Sequence, residues 1–408
     1  MQPRPSQPSP IEPGLLAPHD LLAGLGIHLD PTHALILLAT LAAERPILLM
    51  GLPGQAKTQL VRALGEVLAP NRTRVLNAAL TSFDDVRGFI RPQSLDLGHP
   101  EIIPGPWSPY RDELLFVDEL SRAPSHQQSR WLQLLHERLV DGQPTTLRWV
   151  LAAMNPPSVD GTFPLGLATV DRFLAVISLE DFGELDPTLR LRITMGDLIN
   201  DRPELRDQAR LQLPAFLVQV RAEHERLASD ALTRLTLGRV VDAALEAFRR
   251  TPNAPFSPQG RRAVALFDLM SWVLAALRVQ HGEGALARLD DLLDPLLLAG
   301  LIDLGRACAA DEAALVLAHD EAYRAADRAL SAFARRGDRA AMVDQVIASG
   351  DLTHLARLAR GELERSTVDT LCASRLIEAW WSSTLPQTLR ADTATGPKTA
   401  QPQAEVKA

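Results

Sequence analysis

Short apolar runs alternate with helical patterns along the chain between about residues 30 and 180. Helical patterns at 57–68 and 127–139 separate apolar runs at residues 47–50, 74–76, 114–117, 149–154 and 173–179. Continuous apolar strands that alternate with helices are typical of a parallel sheet covered by helices on both faces. The pattern therefore predicts an α/β domain in this part of the chain.

The strand signals stop after about residue 185. Val241, Ala244, Leu245 and Phe248 follow the i, i+3, i+4, i+7 spacing of an amphipathic helix, and similar spacings continue to about residue 385. We therefore expect a long helical region after the α/β domain. The first 17 residues are rich in proline and offer little to bury, so we expect them to be disordered.

Composition narrows the class of protein. The 408 residues are 46% hydrophobic, which is enough for two or three domains with cores. The net charge of −8, without a long basic block, disfavours nucleic acid as the main partner. Cys308 and Cys372 lie far apart and suggest neither a disulfide framework nor a metal site. Because no signal-peptide pattern or uninterrupted membrane-length apolar run is found, we expect a cytoplasmic protein without membrane insertion.

The segment "GLPGQAKT", residues 51–58, joins the first apolar run to a helical pattern. Phosphates bind to backbone N–H groups of such loops, with a helix N-terminus behind them. Lys57 would reach the β- and γ-phosphates of a nucleotide, and the Thr58 hydroxyl would ligate Mg²⁺. Lys57 is the only lysine outside the C-terminal tail, and its compact ammonium suits this cradle better than a guanidinium does. A strand–turn–helix connection with a chance lysine is the alternative interpretation.

Ala56 departs from the usual loop pattern, which has a second glycine immediately before the lysine. A methyl group is tolerated at a residue with negative φ. Ala56 is therefore tolerable in the loop if its φ is negative, as at the start of a helix.

The segment "ELLFVDELSRAP", residues 113–124, places Asp118 and Glu119 at the end of an apolar strand. Asp118 is suited to the Mg²⁺ shell, and Glu119 to orienting and deprotonating an attacking water. An acidic pair after a strand is also common as a solvated strand end. A phosphate loop followed about sixty residues later by this strand favours a nucleotide-hydrolysing enzyme.

Two further segments carry polar residues at strand ends. Asn155 ends the strand in "WVLAAMNPP" and is suited to holding the hydrolytic water or the γ-phosphate. Arg172 precedes the last strand in "TVDRFLAVISL" and could act at a subunit boundary as an arginine finger. The alternative for Asn155 is an asparagine that starts a turn, and the alternative for Arg172 is a surface ion pair with Asp171.

These segments occur in the order found in AAA+ ATPases. The phrases "IIPGPW", "VDELSRAPSHQQSRWLQLLHER", "AAMNP" and "LATVDRF" resemble the MoxR family of AAA+ ATPases, in which Ala also occurs before the loop lysine. The resemblance is strong over residues 30–180 and weak over 185–280. It implies a P-loop AAA+ α/β core followed by an all-α lid, and it implies nothing beyond about residue 300. The further helical C-terminal region is predicted from the residue pattern alone.

The resemblance also implies roles for individual residues. Asp118 and Glu119 match the Walker B motif, Asn155 matches sensor 1, and Arg172 matches the arginine finger, with Arg122 as a weaker inter-subunit candidate. The implied Walker A residues around ATP are Gly51, Leu52, Pro53, Gly54, Gln55, Ala56, Lys57, Thr58 and Gln59.

Three regions of the family pattern lie outside these motifs. Residues 82–105 match an insert in helix 2 that we expect to be a hairpin or loop, and Asp141-Gly142 predicts a second hairpin turn. The family tends to place the sensor 2 arginine where this chain has Gln259. Arg261 or Arg262 would have to replace it, and we name Arg261 as the nucleotide-binding candidate.

We predict five regions. They are a disordered N-terminus (1–17), an AAA+ ATP-binding domain (18–183), a helical lid (184–300), a helical extension (301–386) and a disordered tail (387–408). The resemblance implies an ATPase that uses ATP and Mg²⁺ in a ring, by family a hexamer. Hydrolysis would shift the lid against the core and remodel, activate or mature a partner protein. That activity resembles a chaperone that inserts metal or another cofactor, with a partner carrying a von Willebrand A domain.

Three other functions stay open from the residues alone. A nucleic-acid motor or restriction-type translocase is disfavoured by the acidic charge balance. A nucleotide switch that assembles a complex without hydrolysis is disfavoured by the presence of Glu119 and Asn155. An adaptor that acts through its C-terminal helices is the third alternative.

Overall fold

The computed structural model describes residues 15–95, 98, 101–195 and 203–334. Residue contacts divide the chain into two units, Met1–Ser331 and Ala332–Ala408, and almost all described residues belong to the first. The predicted disorder of residues 1–14 and 387–408, and most of the predicted helical extension, lie outside the described residues.

The strands form one parallel sheet and two short antiparallel hairpins. In chain order they are β1 (Ile47–Met50), β2 (Thr73–Asn77), β3 (Phe89–Ile90), β4 (Ile102–Ile103), β5 (Leu114–Asp118), β6 (Leu139–Val140), β7 (Gln143–Pro144), β8 (Trp149–Met154) and β9 (Ala175–Ser178). The parallel sheet has the order β2-β5-β8-β1-β9, and β3 pairs with β4 and β6 with β7. The predicted α/β fold and both predicted hairpins are confirmed.

Both faces of the sheet are buried. Ile47 and Leu49 of β1 belong to one hydrophobic cluster, whereas Leu48 and Met50 belong to a second cluster on the opposite face. Successive side chains of a strand point to opposite faces, so a strand covered on both sides needs apolar residues at every position. This is why the strand sequences are continuous apolar runs.

Helices cover the sheet and continue beyond it. They are α1 (Pro18–Gly24), α2 (Pro31–Ala42), α3 (Lys57–Leu68), α4 (Phe83–Arg87), α5 (Pro92–Leu95), α6 (Ser125–Leu132), α7 (Leu167–Val170), α8 (Pro187–Met195), α9 (Pro203–Ser229), α10 (Ala231–Arg250), α11 (Gly260–His281), α12 (Ala285–Arg288), α13 (Leu293–Leu297), α14 (Asp303–Ala307) and α15 (Glu312–Ala334). The predicted helix over 127–139 ends earlier, because a π-helical turn at Gln133–Glu137 leads directly into β6.

The helical region packs on the α/β domain. α2 contacts α9 and α11, and all three contribute to the hydrophobic cluster that covers one face of the sheet. The domain bounds remain predictions, but the boundary proposed at residue 300 falls inside a π-helical turn, Leu298–Ile302. That turn leads into α14, whose Leu304 and Ala307 lie in the cluster on the other face of the sheet.

One helix in the described part of the chain, Gly260–His281 (α11), is long and apolar enough to cross a membrane. Just over half of its most apolar stretch, 56%, is buried inside the protein. Core helices pass the same test, and α11 contacts α2, α9 and α10. The helix therefore gives no sign of membrane insertion.

Candidate active site

The loop between β1 and α3 forms a cradle at the carboxyl end of the sheet. Gly51 donates its N–H to the Met154 carbonyl at 3.2 Å, and a side chain added at Gly51 would lie 3.2 Å from Leu179 Cβ and strike the Gln55 side chain. Gly54 has φ of +89°, which glycine adopts without strain. Space therefore favours glycine at position 51, the first glycine of the nucleotide-binding pattern, and backbone conformation favours it at position 54, where the pattern requires none.

Ala56 does not meet the condition of a negative φ, because its φ is +55°. The left-handed conformation brings Cβ close to the following carbonyl and costs roughly 1–2 kcal/mol for a residue other than glycine. The tight turn that sets Lys57 at the start of α3 requires this conformation. The methyl group of Ala56 is therefore a source of backbone strain at the site.

The ammonium of Lys57 is hydrogen-bonded to the backbone of the phosphate loop. Nζ donates to the carbonyls of Gly51 and Leu52, both at 2.8 Å, and to Asn155 Oδ1 at 3.2 Å. These bonds use all three N–H groups of the ammonium. Burial lowers the pKa of Lys57, while the charges of Asp118 and Glu119 oppose that shift. A phosphate entering the loop would replace backbone carbonyls as the partner of this charge.

Thr58 and Asp118 meet beside Lys57. The Thr58 hydroxyl donates to Asp118 Oδ2 at 2.6 Å, and Asp118 Oδ1 accepts from the Glu119 N–H at 2.9 Å. A hydroxyl and a carboxylate are the hard oxygen ligands that Mg²⁺ takes alongside phosphate and water. The donor set at this point therefore fits Mg²⁺ as the sequence predicts.

Glu119 is held on both sides of its carboxylate. Oε2 accepts from the Asn77 side chain at 2.9 Å, and Oε1 pairs with Arg122 at 3.0 Å. Its φ of +55° is also left-handed. Arg122, the weaker inter-subunit candidate, therefore lies against Glu119 of its own chain.

Sequence reasoning missed Asn77. It ends β2 as Asp118 ends β5, and the two are paired in the register of the sheet. A polar residue at the end of a strand was the signal used for Asn155, and the same signal at "VLN" would have identified Asn77.

A cavity of about 590 Å³ adjoins the phosphate loop. Its walls are residues 26–30 before α2, residues 52–56 of the loop, and residues 178–183 after β9. Gln55 crosses its mouth and donates to Asp181 at 2.7 Å. At its edge, Asp30 caps the N-terminus of α2 and is hydrogen-bonded to the ring of His33. The cavity has the size of a ligand pocket and is placed to receive the rest of a nucleotide whose phosphates lie in the loop.

The predicted arginine finger lies at the amino end of the strands, opposite the phosphate loop. Arg172 precedes β9, and the N–H of Leu174 bonds to the carbonyl of Pro46, the residue before β1. In a parallel sheet this is the amino end of the strands, on the order of 10 Å from the phosphate loop at the carboxyl end. Arg172 therefore lies away from the phosphate loop of its own chain.

Arg172 lies in a second cavity, of about 250 Å³, together with Arg45, His136 and Arg261. Within the described residues, Arg172 Nε and His136 Nδ1 are buried without a hydrogen-bond partner. Burial lowers the pKa of His136, and the charges of the three arginines lower it further. Three arginines and the carboxylate of Asp171 line the cavity, and Arg172 Nε is a donor without a partner. Arg261, the nucleotide-binding candidate predicted from the sequence, lines this cavity and not the cavity beside the phosphate loop.

Part of the chain is similar to known proteins. Residues 46–175 match the model of the "ATPase family associated with various cellular activities (AAA)". The uncharacterized protein YeaC of Bacillus subtilis is 32% identical over 148 residues, which are 35% of this chain and 44% of YeaC. Chaperone MoxR1 of Mycobacterium tuberculosis is 30% identical over 149 residues, which are 35% of this chain and 38% of MoxR1. A crystal structure from Cytophaga hutchinsonii is 22% identical, with a TM-score of 0.43, and covers 63% of this chain and 77% of that one.

The strand order, the phosphate loop and the acidic strand define an AAA+ fold, and the family match covers residues 46–175 of it. Within that class the chain is MoxR-like. The chain spans less than half of the length of the two curated relatives.

Proposed function

We propose that this protein hydrolyses ATP, with Mg²⁺, at sites shared between copies of the chain in a ring. The observation that carries the proposal is the convergence of Lys57, Thr58, Asp118, Glu119 and Asn155 at one end of the sheet, with Arg172 at the other. Head-to-tail contacts between identical copies close into rings when the rotation per copy allows it. Such a contact would bring the Arg172 cavity of one copy to the phosphate loop of the next.

Each residue has one task in this mechanism. Lys57 would bind the β- and γ-phosphates, and the loop N–H groups would surround them. Thr58 and Asp118 would hold Mg²⁺, which neutralises phosphate charge when bound. Glu119 would orient the attacking water and accept its proton, while Asn155 would hold the water or the γ-phosphate. Arg172 of the neighbouring copy, with its Arg261, would stabilise charge on the transferred phosphate.

The output of hydrolysis is proposed from similarity to MoxR1, whose name describes a chaperone. We propose that the ring remodels, activates or matures a partner protein. The proposed activity is the insertion of metal or another cofactor, and the proposed partner carries a von Willebrand A domain. A hexamer is the proposed ring size. The support for these details is the family resemblance of residues 30–180.

Steady-state ATP hydrolysis over a range of protein concentrations tests the shared site. Specific activity should rise with concentration, and Lys57→Ala, Glu119→Gln and Arg172→Ala should each abolish it. An equal mixture of Lys57→Ala and Arg172→Ala should regain activity, because about a quarter of randomly formed interfaces then combine an intact loop with an intact Arg172. Activity that is independent of concentration and absent from the mixture would contradict the shared site.

A further inference from the structure

Arg262 is a fully buried arginine near the start of α11, with 1% of its surface exposed. Its Nη1 donates to the carbonyl of Phe173 and its Nη2 to the carbonyl of Leu174, both at 3.1 Å. These two carbonyls directly follow Arg172 in the chain. The guanidinium therefore fastens the segment that carries Arg172 to a helix about ninety residues away.

This arrangement is costly to maintain, because burying a charge without a full set of partners is unfavourable. Arg262 Nε has no hydrogen-bond partner in the described part of the chain. Burial lowers the pKa of Arg262 to about 10, and the charge of Asp171 counteracts the shift. The side chain therefore stays charged at neutral pH. An apolar side chain would fill the same volume without this cost, so packing alone does not explain an arginine here.

The bonds of Arg262 also position the preceding residue, Arg261. Successive residues of a helix are about 100° apart around its axis, so Arg262 faces the interior while Arg261 faces outward. Arg261 lies in the 250 Å³ cavity with Arg172 and His136. The two bonds from Arg262 thus fix the separation between a guanidinium on α11 and a guanidinium before β9.

We propose that Arg262 is a positioning residue, which sets the separation of Arg172 and Arg261 and so prepares the surface that completes the active site of a neighbouring copy. The inference rests on the shared-site function proposed above. Arg262 bonds to the segment at the amino end of the strands, whereas its own phosphate loop lies at the carboxyl end. Its effect is therefore expected on turnover in the adjacent copy and not on nucleotide affinity in its own.

Two substitutions separate this role from a general effect on folding. Arg262→Met keeps the volume and removes both bonds, while Arg262→Lys keeps the charge and cannot reach both carbonyls with a planar fork. We expect Arg262→Met to lower kcat by roughly tenfold or more with ATP affinity nearly unchanged, and Arg262→Lys to fall between it and the wild type. Arg278→Gln is a matched control, because Arg278 lies on the same helix and pairs with Glu223 and Asp230, far along α11 from Arg172.

Mixing experiments give a readout that a merely structural residue would not affect. Lys57→Ala subunits supply an intact Arg172–Arg261 surface, so adding them to Arg262→Met should restore hydrolysis as they do for Arg172→Ala. Adding Arg172→Ala subunits to Arg262→Met should restore nothing, because both lack a working surface.

Failure to restore Arg262→Met with Lys57→Ala, while Arg172→Ala is restored, would overturn the proposal, since the defect would then lie in the variant's own loop. If Arg172→Ala is not restored either, the shared-site function itself is wrong, and the role of Arg262 is wrong with it. Arg262→Met with wild-type kcat would also overturn the proposal while leaving the shared site intact.

Discussion

The hydroxyl of Thr58 lies 2.6 Å from the carboxylate of Asp118, although sixty positions separate the two residues in sequence. The contact exists because β1 and β5 run parallel and end at the same edge of the sheet. It joins the phosphate loop to the acidic strand. The oxygen pair expected for Mg²⁺ is therefore already assembled by the fold.

Replacing Lys57 tests the phosphate loop. We expect Lys57→Ala to weaken ATP binding roughly thirtyfold or more, because a charged hydrogen-bond partner is lost at a buried site. Lys57→Arg should also bind poorly, since the planar guanidinium does not fit where three short bonds converge on Nζ. Titration calorimetry with ATP and Mg²⁺ measures both variants. Arg62→Ala, an exposed change on the same helix, is the control and should bind normally. Wild-type affinity for ATP in Lys57→Ala would show that this loop is not the phosphate-binding site.

Replacing Ala56 tests the strain at the loop. Ala56→Gly should stabilise the protein by about 1 kcal/mol, because glycine adopts a φ of +55° without the penalty of a Cβ. Thermal unfolding should show a rise of a few degrees. Ala63→Gly, inside the same helix, should have the opposite sign, because glycine weakens a helix interior by roughly 0.5–1 kcal/mol. Equal destabilisation by both changes would show that the conformation of Ala56 is not strained.

Releasing Glu119 should alter turnover. Asn77→Asp keeps the oxygen that caps the turn at Ala79 and Leu80 but replaces the donor that holds Glu119 with a negative charge. The new negative charge should repel the Glu119 carboxylate and free it for water, so we expect basal hydrolysis to increase a few-fold. Steady-state kinetics with saturating ATP measures the change. The double variant with Glu119→Gln should be inactive, and a fall in turnover for Asn77→Asp alone would count against this prediction.

The pair of Asp30 and His33 predicts a pH dependence of stability. Burial opposes protonation of His33, but the hydrogen bond and charge of Asp30 raise its pKa above 6.5 overall. The pair's contribution should therefore be fully present below pH 6.5 and disappear as the pH rises through the raised value. Denaturant unfolding of wild type and His33→Gln should show a difference that shrinks at alkaline pH.

His224 supplies a control of opposite sign. Burial lowers its pKa in the folded protein, where it stacks on Trp272. The unfolded chain then binds protons more readily, so wild-type protein should lose stability relative to His224→Gln as the pH falls below 6.5. Parallel pH profiles for the two histidine variants would contradict both assignments.

Much of this fold was predictable from local patterns. The runs at Ile47–Met50 and Trp149–Met154 are strands with the predicted bounds, and the helix at Lys57–Leu68 begins at the loop lysine as the motif requires. These features are local, because a strand buried on both faces must be apolar throughout and a phosphate loop must end in a helix N-terminus.

The rest depends on distant parts of the chain. The φ of Ala56 is fixed by closure of the loop, so the residue type alone does not give its sign. The contact of Asn77 with Glu119 follows from the pairing of β2 with β5, and the burial of Arg262 follows from the packing of α11 near β9. Each of these requires knowing which strands and helices are neighbours, and that information lies in no single segment of sequence.

The hydrophobic cluster that joins α2, α9 and α11 to one face of the sheet opposes opening along that face in the described part of the chain. Separating α11 from this cluster would expose apolar surface at about 25 cal/mol for each Å². The lid shift that the family resemblance implies would therefore have to overcome this cost wherever it moves α11 against the sheet. In a ring of the kind proposed above, rotation of whole copies against one another would expose less of this cluster than bending within one copy.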